Sequence, residues 1–360
     1  MNGMKVLISP LSWGFGHAGR MIPLAAAMQQ RGCEVIFAAD APLLHMVENE
    51  LPGIKTVEIQ GFTIRYSRRL PQYFCIFLQL PVLAASAVRD HRSLRRLAAE
   101  IRPGVIISDN RFGFWHKDIF SVYVTHQVRI AFPGFLGWLE PLAAWLHRLI
   151  IKRYDLCLVP DYPGETNLSG RLSHGVKLPP NLVYKGPLSR FTVPDIVKMA
   201  SLPGNYDTVI EWLSGHDPID PSATGTGRTS PDLAKSDLFP GHPYTCLILS
   251  GPEPQRSLLF DKVSESINTY PLVVLSAGPV KARIHSGSET RLFISADTAT
   301  MRDVITGASL VIARASYTSV MELASLRKGA VLVPTPGQTE QEYLGRYLDG
   351  RYGFVTMNQE

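Results

Sequence analysis

The sequence LVIARASYTSVMELASLRKGAVLVPTPGQTEQ, residues 310–341, indicates how this chain folds. An apolar run ends at Ala313, a turn of small and polar residues follows, and a helical pattern begins near Tyr317. A second apolar run covers residues 330–333 and ends in another polar loop. Continuous apolar runs separated by a helix are typical of parallel strands that are covered on both faces. Both polar loops are then expected at one edge of a sheet, where open α/β sheets bind ligands.

The polar residues of these loops suit a phosphorylated ligand. Hydroxyl groups and free backbone amides at a helix N-terminus bind phosphate, and the turn before this helix carries Ser316, Thr318 and Ser319. Glu322 lies one turn further on, where its carboxylate can accept hydrogen bonds from a ribose. An ordinary acid on the helix surface is the alternative, but the offset from Ser316 favours ribose binding. The segment therefore predicts a nucleotide-diphosphate site.

Similar apolar runs along the whole chain predict two doubly wound α/β domains. We place the boundary at Gly186, which gives domains of residues 1–186 and 187–360. A segment rich in Pro, Gly, Ser and Thr at about 215–243 is interpreted as a flexible insertion. The predicted strands are Val6–Ser9, Glu34–Ala38, Val105–Ser108, Ser121–Thr125, Leu156–Val159, Thr245–Leu249, Leu272–Leu275, Leu292–Ile294, Leu310–Ala313 and Ala330–Val333.

The composition is that of a globular protein with an anionic ligand. Apolar residues make up 45% of the 360 residues, charged residues 19%, and the net charge is +5. This charge suits a nucleotide sugar or a phospholipid surface, whereas the absence of basic runs and zinc-finger spacings argues against a nucleic-acid partner. The four widely separated cysteines predict reduced thiols and a cytoplasmic location. No apolar run is long enough to predict a membrane-spanning helix.

Residues 14–19, Gly-Phe-Gly-His-Ala-Gly, allow two interpretations. They match the glycine pattern of dinucleotide-binding folds, and Asp40 stands where such folds place the acid that binds ribose. Alternatively, the glycines let a substrate approach the backbone, and His17 lies at a helix N-terminus as a neutral base for an acceptor hydroxyl. A capping histidine with a purely structural role is the simpler reading of His17. The bulky flanks of this loop and the second nucleotide-like site favour the acceptor interpretation.

Eight segments resemble, in their order along the chain, the glycosyltransferases of family 28, the group that includes the peptidoglycan GlcNAc transferase. They are residues 10–20, 107–113, 124–127, 159–164, 184–191, 248–256, 313–324 and 334–348. The resemblance implies the GT-B fold, in which two Rossmann-like domains face each other across a cleft. It also implies a donor site in the C-terminal domain, an acceptor site in the N-terminal domain, inversion at the anomeric carbon, and no metal or other cofactor.

The resemblance also implies roles for individual residues. His17 is the candidate catalytic base. Ser12 stands where we expect an acid in close relatives, which is a departure from the pattern. On the acceptor side the candidates are Gly14, Gly16, Asp109, Asn110, His126 and Gln127, and a turn or capping role is the alternative for Asp109 and Asn110. On the donor side they are Gly251, Arg256, Arg314, Ser316, Tyr317, Thr318, Ser319, Glu322, Gln338, Thr339, Glu340 and Gln341.

The predicted function is the metal-independent, inverting transfer of a hexose or N-acetylhexosamine from a UDP-sugar to an acceptor hydroxyl. The acceptor is a glycan, a lipid-linked molecule or a small molecule. Three alternatives remain open: a UDP-GlcNAc 2-epimerase-like isomerase on the same fold, a UDP-sugar binder without catalysis, and an NAD(P)-binding oxidoreductase that uses the loop Gly14–Gly19. Fold analogy alone does not choose among them.

Two stretches combine aromatic and basic side chains, as helices at membrane interfaces do. For Tyr66–Leu78 we favour peripheral contact with the inner face of the membrane. For Phe132–Tyr154 we favour an amphipathic helix whose apolar side chains are buried against the sheet.

Overall fold

A computed structural model describes residues 3–62, 72–175, 178–191, 239, 242–267, 270–280 and 289–359. These residues form two compact units, each built on one parallel sheet. The predicted insertion at about 215–243 lies almost wholly outside the described residues, and so do residues 66–71 of the stretch Tyr66–Leu78. The domain boundary at Gly186 therefore stays a prediction.

The N-terminal unit contains a sheet of seven parallel strands in the order β3-β2-β1-β4-β5-β6-β7. All five strands predicted from its apolar runs are present, with ends that shift by at most one residue. The strands are β1 Lys5–Pro10, β2 Glu34–Ala39, β3 Lys55–Glu58, β4 Val105–Asp109, β5 Phe120–Val124, β6 Leu156–Val159 and β7 Leu182–Tyr184. The α-helices are α1 Phe15–Gln30, α2 Ala41–Glu50, α3 Gln72–Leu78, α4 Leu80–Ile101 and α5 Glu140–Ile151, and 3-10 helices cover Gly134–Leu139 and Gly170–Leu172.

The C-terminal unit contains six parallel strands in the order β10-β9-β8-β11-β12-β13. The strands are β8 Thr245–Leu249, β9 Leu272–Ser276, β10 Thr290–Ile294, β11 Leu310–Ala313, β12 Ala330–Leu332 and β13 Phe354–Thr356. The helices are α6 Gln255–Ser266, α7 Thr298–Gly307, α8 Tyr317–Ser325 and α9 Thr339–Leu348. The α/β fold of two doubly wound domains is thus confirmed.

Each sheet is buried on both faces, which explains why its central strands are continuous apolar runs. In the first unit Leu7, Ile106 and Phe114 belong to one buried cluster, and in the second unit Leu247 and Phe260 belong to another. Burial of each such side chain contributes about 1.5–3 kcal/mol. These cores fix the strands rigidly, so the loops at the strand ends are held in defined positions.

The strand order reverses once in each sheet, and this reversal positions the candidate site. In the first unit the chain leaves β1 toward β2 and β3, then returns to β4 on the other side of β1. In the second unit it leaves β8 toward β9 and β10, then returns to β11. At such a point two loops diverge from the carboxyl ends of neighbouring strands and leave a crevice where doubly wound folds bind ligands.

The segment Phe132–Tyr154 differs from its prediction. It forms a 3-10 helix followed by α5, and large apolar side chains on both are exposed rather than buried. Trp138 is 74% exposed and Trp145 is 51% exposed, whereas the side chains that face the interior are Glu140, His147 and Ile151. The buried side of α5 is held by polar contacts, so its aromatic side is left to solvent. Among the described residues, no helix is long and apolar enough to cross a membrane.

Candidate functional site

The loop after β1 places His17 at the edge of the first sheet. The backbone N–H of Leu11 donates to the carbonyl oxygen of Asp109 at 2.9 Å, which ties the loop to the end of β4. Gly14 then has φ = 141°, a conformation that side-chain-bearing residues rarely adopt. Helix α1 begins directly afterwards, so His17 lies in its first turn. The glycine is therefore required for the turn that presents His17 at the strand reversal.

Four side chains from three neighbouring strand ends meet at this point. The Nδ1 atom of His17 lies 3.2 Å from Oδ2 of Asp109, the last residue of β4. Arg20, one turn along α1, donates from Nε to the same Oδ2 at 2.7 Å and from Nη2 to the other carboxylate oxygen. Its Nη1 lies 3.1 Å from Nδ1 of His126, which follows β5. The predicted residues His17, Asp109 and His126 are thus brought together.

The electrostatics of this cluster keep Asp109 ionised and His17 neutral. Burial of Asp109 alone would raise its pKa, but Arg20 and then His17 outweigh that effect and lower the pKa to about 2. Burial lowers the pKa of His17 below its usual value, with Arg20 adding to the effect and Asp109 opposing it. His17 keeps an 18% exposed side chain. A neutral imidazole that is partly exposed and backed by a carboxylate can accept a proton from a bound hydroxyl group.

Arg20 was not predicted as a site residue. Its sequence signal is nevertheless clear, because it is a lone charge in a helix that is otherwise apolar as far as Met28. The side chain is only 1% exposed, and a charge is buried to that degree only when it is paired. A buried arginine one turn after a histidine at a strand end indicates a carboxylate partner nearby.

The other acceptor-side candidates make contacts of a structural kind. Asn110 has φ = 56°, and its side chain lies 3.2 Å from the hydroxyl group of Tyr123. That hydroxyl group lies 3.0 Å from Nε2 of His147 in α5. The backbone N–H of Gln127 donates to the hydroxyl oxygen of Thr125. These residues shape the loops around the His17 cluster, and Gly14 and Gly16 form the turn and the start of α1.

Ser12 and Asp40 bear on the dinucleotide interpretation. The hydroxyl group of Ser12 donates to Oδ1 of Asp40 at 3.1 Å. The dinucleotide interpretation assigns Asp40 to a ribose hydroxyl. In the structure its carboxylate instead accepts a hydrogen bond from Ser12, within the loop after β1. Ser12 is itself buried, and its hydroxyl group is engaged by the carboxylate of Asp40.

In the second unit, Ser316 caps helix α8 at the carboxyl edge of β11. Its Oγ accepts from the backbone N–H of Ser319 at 3.4 Å and lies 2.8 Å from the hydroxyl oxygen of Ser319. Tyr317 is buried in the core of this unit, which favours its backbone amide over its ring as a ligand group. Glu322 is also largely buried and lies in the second turn of α8. The hydroxyls and amides at this N-terminus form the predicted diphosphate-binding element.

The side chain of Arg314 forms hydrogen bonds with residues that follow β8, β12 and β13, close to this element. Its Nη1 donates to the carbonyl oxygen of Val333 at 3.3 Å and to Oε1 of Gln359 at 2.7 Å, and its Nη2 donates to the carbonyl oxygen of Gln255 at 2.8 Å. All these partners are neutral, and burial lowers the pKa of Arg314 to about 10. This buried cation adds a positive field at the edge where an anionic ligand is expected.

The loop after β12 is held in place by its own side chains. Gly337 has φ = 76°, and its backbone N–H donates to Oε1 of Glu342 at 2.7 Å. The backbone N–H of Thr335 donates to Oε1 of Gln341 at 2.9 Å. The predicted ligand residue Gln341 therefore shapes the loop, while Gln338, Thr339 and Glu340 lie at the start of α9 beside it.

The loop after β8 completes this edge. Gly251 has φ = 90°, and Arg256 lies in the first turn of α6 with its Nε 3.4 Å from Oε1 of Glu253. Because β8 and β11 are neighbours at the strand reversal, Gly251 and Ser316 flank the same crevice. The structure thus gathers the predicted donor residues at the carboxyl ends of β8, β11 and β12.

Sequence comparison finds one family model that matches part of this second unit. Residues 281–349 match the model of the glycosyltransferase family 28 C-terminal domain. The match includes the candidates from Arg314 to Gln341 and excludes Gly251 and Arg256. No curated protein sequence is significantly similar to the chain.

Solved structures of glycosyltransferases share the fold over nearly the whole chain. The spinosyn rhamnosyltransferase SpnG complexed with thymidine diphosphate is 16% identical, with a TM-score of 0.58 over 98% of this chain and 86% of its own. The calicheamicin glycosyltransferase CalG4 is 13% identical, with a TM-score of 0.58 over 99% and 86%. The Glycyrrhiza uralensis enzyme UGT73P12 is 14% identical, with a TM-score of 0.53 over 98% and 81%. The chain therefore has the GT-B fold, and residues 281–349 are similar to the family 28 C-terminal domain.

Proposed function

We propose that this chain is an inverting, metal-independent glycosyltransferase that moves a hexose or N-acetylhexosamine from a UDP-sugar to an acceptor hydroxyl. The observation that carries the proposal is the contact between His17 and Asp109 at the strand reversal of the first sheet. It places a neutral imidazole and an ionised carboxylate where a doubly wound fold binds its ligand. The family 28 match over the second unit supports a sugar-nucleotide donor.

In the proposed reaction His17 takes the proton of the acceptor hydroxyl while the oxygen attacks the anomeric carbon. The bond from that carbon to the diphosphate breaks on the opposite face, so the configuration inverts. Asp109 stabilises the imidazolium that forms. The free amides of α8 and the hydroxyl of Ser316 stabilise the negative charge of the departing diphosphate.

Substitution of His17 tests this chemistry directly. With a UDP-sugar and an acceptor alcohol, we expect His17→Ala to lower kcat about 100- to 10,000-fold, which is the usual contribution of a general base. The matched control is His45→Ala, because His45 is exposed on α2 and contacts only Asn49 among the described side chains. Equal turnover in His17→Ala and the control would remove His17 from the chemistry. Conversion of UDP-GlcNAc without any acceptor would instead favour the isomerase.

The choice of nucleotide needs its own measurement. The preference for uridine rests on the resemblance to family 28, whereas the structure of SpnG contains thymidine diphosphate. Calorimetric titration with UDP, TDP and GDP ranks the three bases, and we expect UDP to bind most tightly. Glu322→Ala is expected to weaken UDP binding about tenfold if the carboxylate binds the ribose. An unchanged affinity in Glu322→Ala would leave that carboxylate with a structural role.

We also propose that the N-terminal unit contacts an anionic membrane. The exposed face of α5 and the 3-10 helix before it carries Trp138, Leu142, Trp145 and Leu149 at helical spacing, followed by exposed Lys152. The sole acid between residues 132 and 154, Glu140, is buried and paired with Arg129 and Arg171. Tryptophan next to lysine, with no exposed acid, is the pattern of an interfacial helix. Exposed Phe77 and Leu78 of α3 are further apolar side chains on the surface of this unit.

Vesicle sedimentation tests this contact. We expect the protein to sediment with phosphatidylglycerol vesicles and much less with phosphatidylcholine vesicles, because the basic residues favour an anionic surface. Replacing Trp138 and Trp145 with serine should lower the bound fraction severalfold without lowering stability, since both side chains are exposed. Binding that is equal in wild type and variant would exclude α5 as the membrane-binding element.

A further inference from the structure

One ring nitrogen of His17 has two neighbours with opposite hydrogen-bonding requirements. Nδ1 lies 2.9 Å from Nη2 of Arg20 and 3.2 Å from Oδ2 of Asp109. A guanidinium group only donates hydrogen bonds, and an ionised carboxylate only accepts them. Nδ1 therefore satisfies Arg20 when it is unprotonated and Asp109 when it carries the proton, but never both at once.

The surrounding contacts decide whether Nδ1 of His17 forms its hydrogen bond with Arg20 or with Asp109. Asp109 already accepts two hydrogen bonds from Arg20, so its carboxylate does not depend on His17. Nη2 of Arg20 carries two protons, so it can donate one to Asp109 and the other to Nδ1 of His17. Nη1 lies close to Nδ1 of His126 in the same way. A proton on either Nδ1 would face a donor of the buried guanidinium. The geometry thus favours the tautomer in which Nδ1 of His17 accepts and its Nε2 carries the proton.

We propose that Arg20 selects the tautomer of His17 and holds it, in the free protein, in the form that cannot accept a proton at Nε2. The groups that face His17 are Arg20 on α1, Asp109 at the end of β4 and His126 after β5. Within the described residues Nε2 makes no hydrogen bond, so it is the nitrogen left for an acceptor hydroxyl. Arg20 is a positioning residue, and the inference rests on the proposed role of His17 as the base.

Catalysis at Nε2 then requires a change of tautomer at His17. For His17 to take a proton at Nε2, the ring must lose its Nε2 proton to solvent and gain one at Nδ1, where the N–H donates a hydrogen bond to the ionised carboxylate of Asp109. That exchange requires Nη2 of Arg20 to give up its contact with Nδ1, while Nε can keep its bond to Oδ2. The base is then formed only in the state in which Arg20 has shifted.

Nitrogen NMR of the wild-type protein tests the tautomer without any substrate. In protein labelled with ¹⁵N-histidine near pH 7.5, the chemical shifts of the ring nitrogens of His17 report which one is protonated, and His17→Gln assigns the signal. We expect Nε2 to be protonated and Nδ1 to be unprotonated. The reverse pattern would overturn the proposal. Because no turnover is measured, a failure here is separate from a failure of the proposed glycosyl transfer.

A pair of matched variants tests the role of Arg20. In Arg20→Met the competitor for Nδ1 is gone, so we expect the proton of His17 to move to Nδ1 and bond to Asp109. The control is Arg111→Met, which removes another buried arginine from a buried carboxylate, Asp90, without touching His17. The control should lose comparable stability and leave the His17 signals unchanged. Identical His17 signals in wild type and in folded Arg20→Met would overturn the proposal.

The pH profile of kcat/KM gives a second readout. Arg20 lowers the pKa of His17 through its charge, so its removal is expected to raise that pKa. A base is active only when it is deprotonated, so the rising limb of the profile should move to higher pH in Arg20→Met and stay in place in Arg111→Met. A profile for Arg20→Met that matches that of Arg111→Met would assign Arg20 a structural role only.

Discussion

Asp109 is the residue whose protonation is expected to govern stability in acid. In the folded state its pKa is lowered to about 2 from the usual 3.8, because Arg20 and His17 outweigh its burial. Its stabilising contribution is therefore complete above pH 5 and is lost as the pH falls from about 4 through about 2. The shift corresponds to roughly 2 kcal/mol.

Urea unfolding of wild type and Asp109→Asn between pH 5.5 and 2 measures this contribution. Asp109→Asn should be less stable at pH 5.5, since it leaves Arg20 buried without a carboxylate. We expect the difference in unfolding free energy between the two proteins to shrink by roughly 2 kcal/mol toward pH 2. Curves that stay parallel over this range would show that Asp109 has an ordinary pKa.

At the scale of residues, the sequence pointed to three members of the His17 cluster but not to the fourth, Arg20. His17, Asp109 and His126 were predicted because each directly follows a strand or lies in a glycine-rich turn. Arg20 was missed because its role depends on a carboxylate 89 positions away along the chain, a separation that no local pattern encodes. The burial of Tyr317 and the use of Gln341 by its own loop were likewise settled by packing rather than by sequence type.

At the scale of elements, the N-terminus of α8 is expected to serve both folding and ligand binding. Ser316→Ala removes its cap, which typically costs about 1 kcal/mol of stability. The matched control is Asp297→Ala at α7, where the carboxylate accepts from the backbone N–H of Thr300 at 2.7 Å. Urea unfolding should show a similar loss for both variants. Titration with UDP should show about a tenfold weaker affinity for Ser316→Ala and no change for Asp297→Ala. Equal UDP affinities in the two variants would show that the Ser316 hydroxyl caps the helix but does not bind the ligand.

The strands that the sequence did not predict share one property. β3, β7 and β13 are all edge strands, with one neighbour each. An edge strand is partly exposed and need not be a continuous apolar run; β3, for example, reads Lys-Thr-Val-Glu. The central strands are covered on both faces, so they carry the apolar signal that made them predictable. Helix α5 differs from its prediction for a related reason. Its tryptophan was expected to be buried, but the polar side chains of Glu140 and His147 are buried and Trp145 is exposed.

At the scale of the whole molecule, the alternation of apolar runs and helical patterns in both halves of the chain predicted two sheets. Both sheets are observed, and each has its own hydrophobic core. Sugar, acceptor and nucleotide are not fixed by this architecture, because one fold supports many reactions. The location of the donor site is a stronger expectation. All the predicted donor residues, from Gly251 to Gln341, lie at one edge of the second sheet, and no strand of the first sheet is needed to form that edge.

Separate expression of residues 187–360 and 1–186 tests both this location and the predicted boundary at Gly186. We expect the fragment 187–360 to fold on its own core and to be stabilised by UDP, since a ligand of the folded state adds about 2.7 kcal/mol at 100 times its Kd. Thermal unfolding with and without UDP or NADH provides the measurement. The fragment 1–186 should respond to neither compound, because its glycine loop presents His17 and its Asp40 is engaged by Ser12. A rise in the Tm of that fragment with NADH, together with no response of the fragment 187–360 to UDP, would show that residues 14–19 bind a dinucleotide and would overturn the donor site in the second unit.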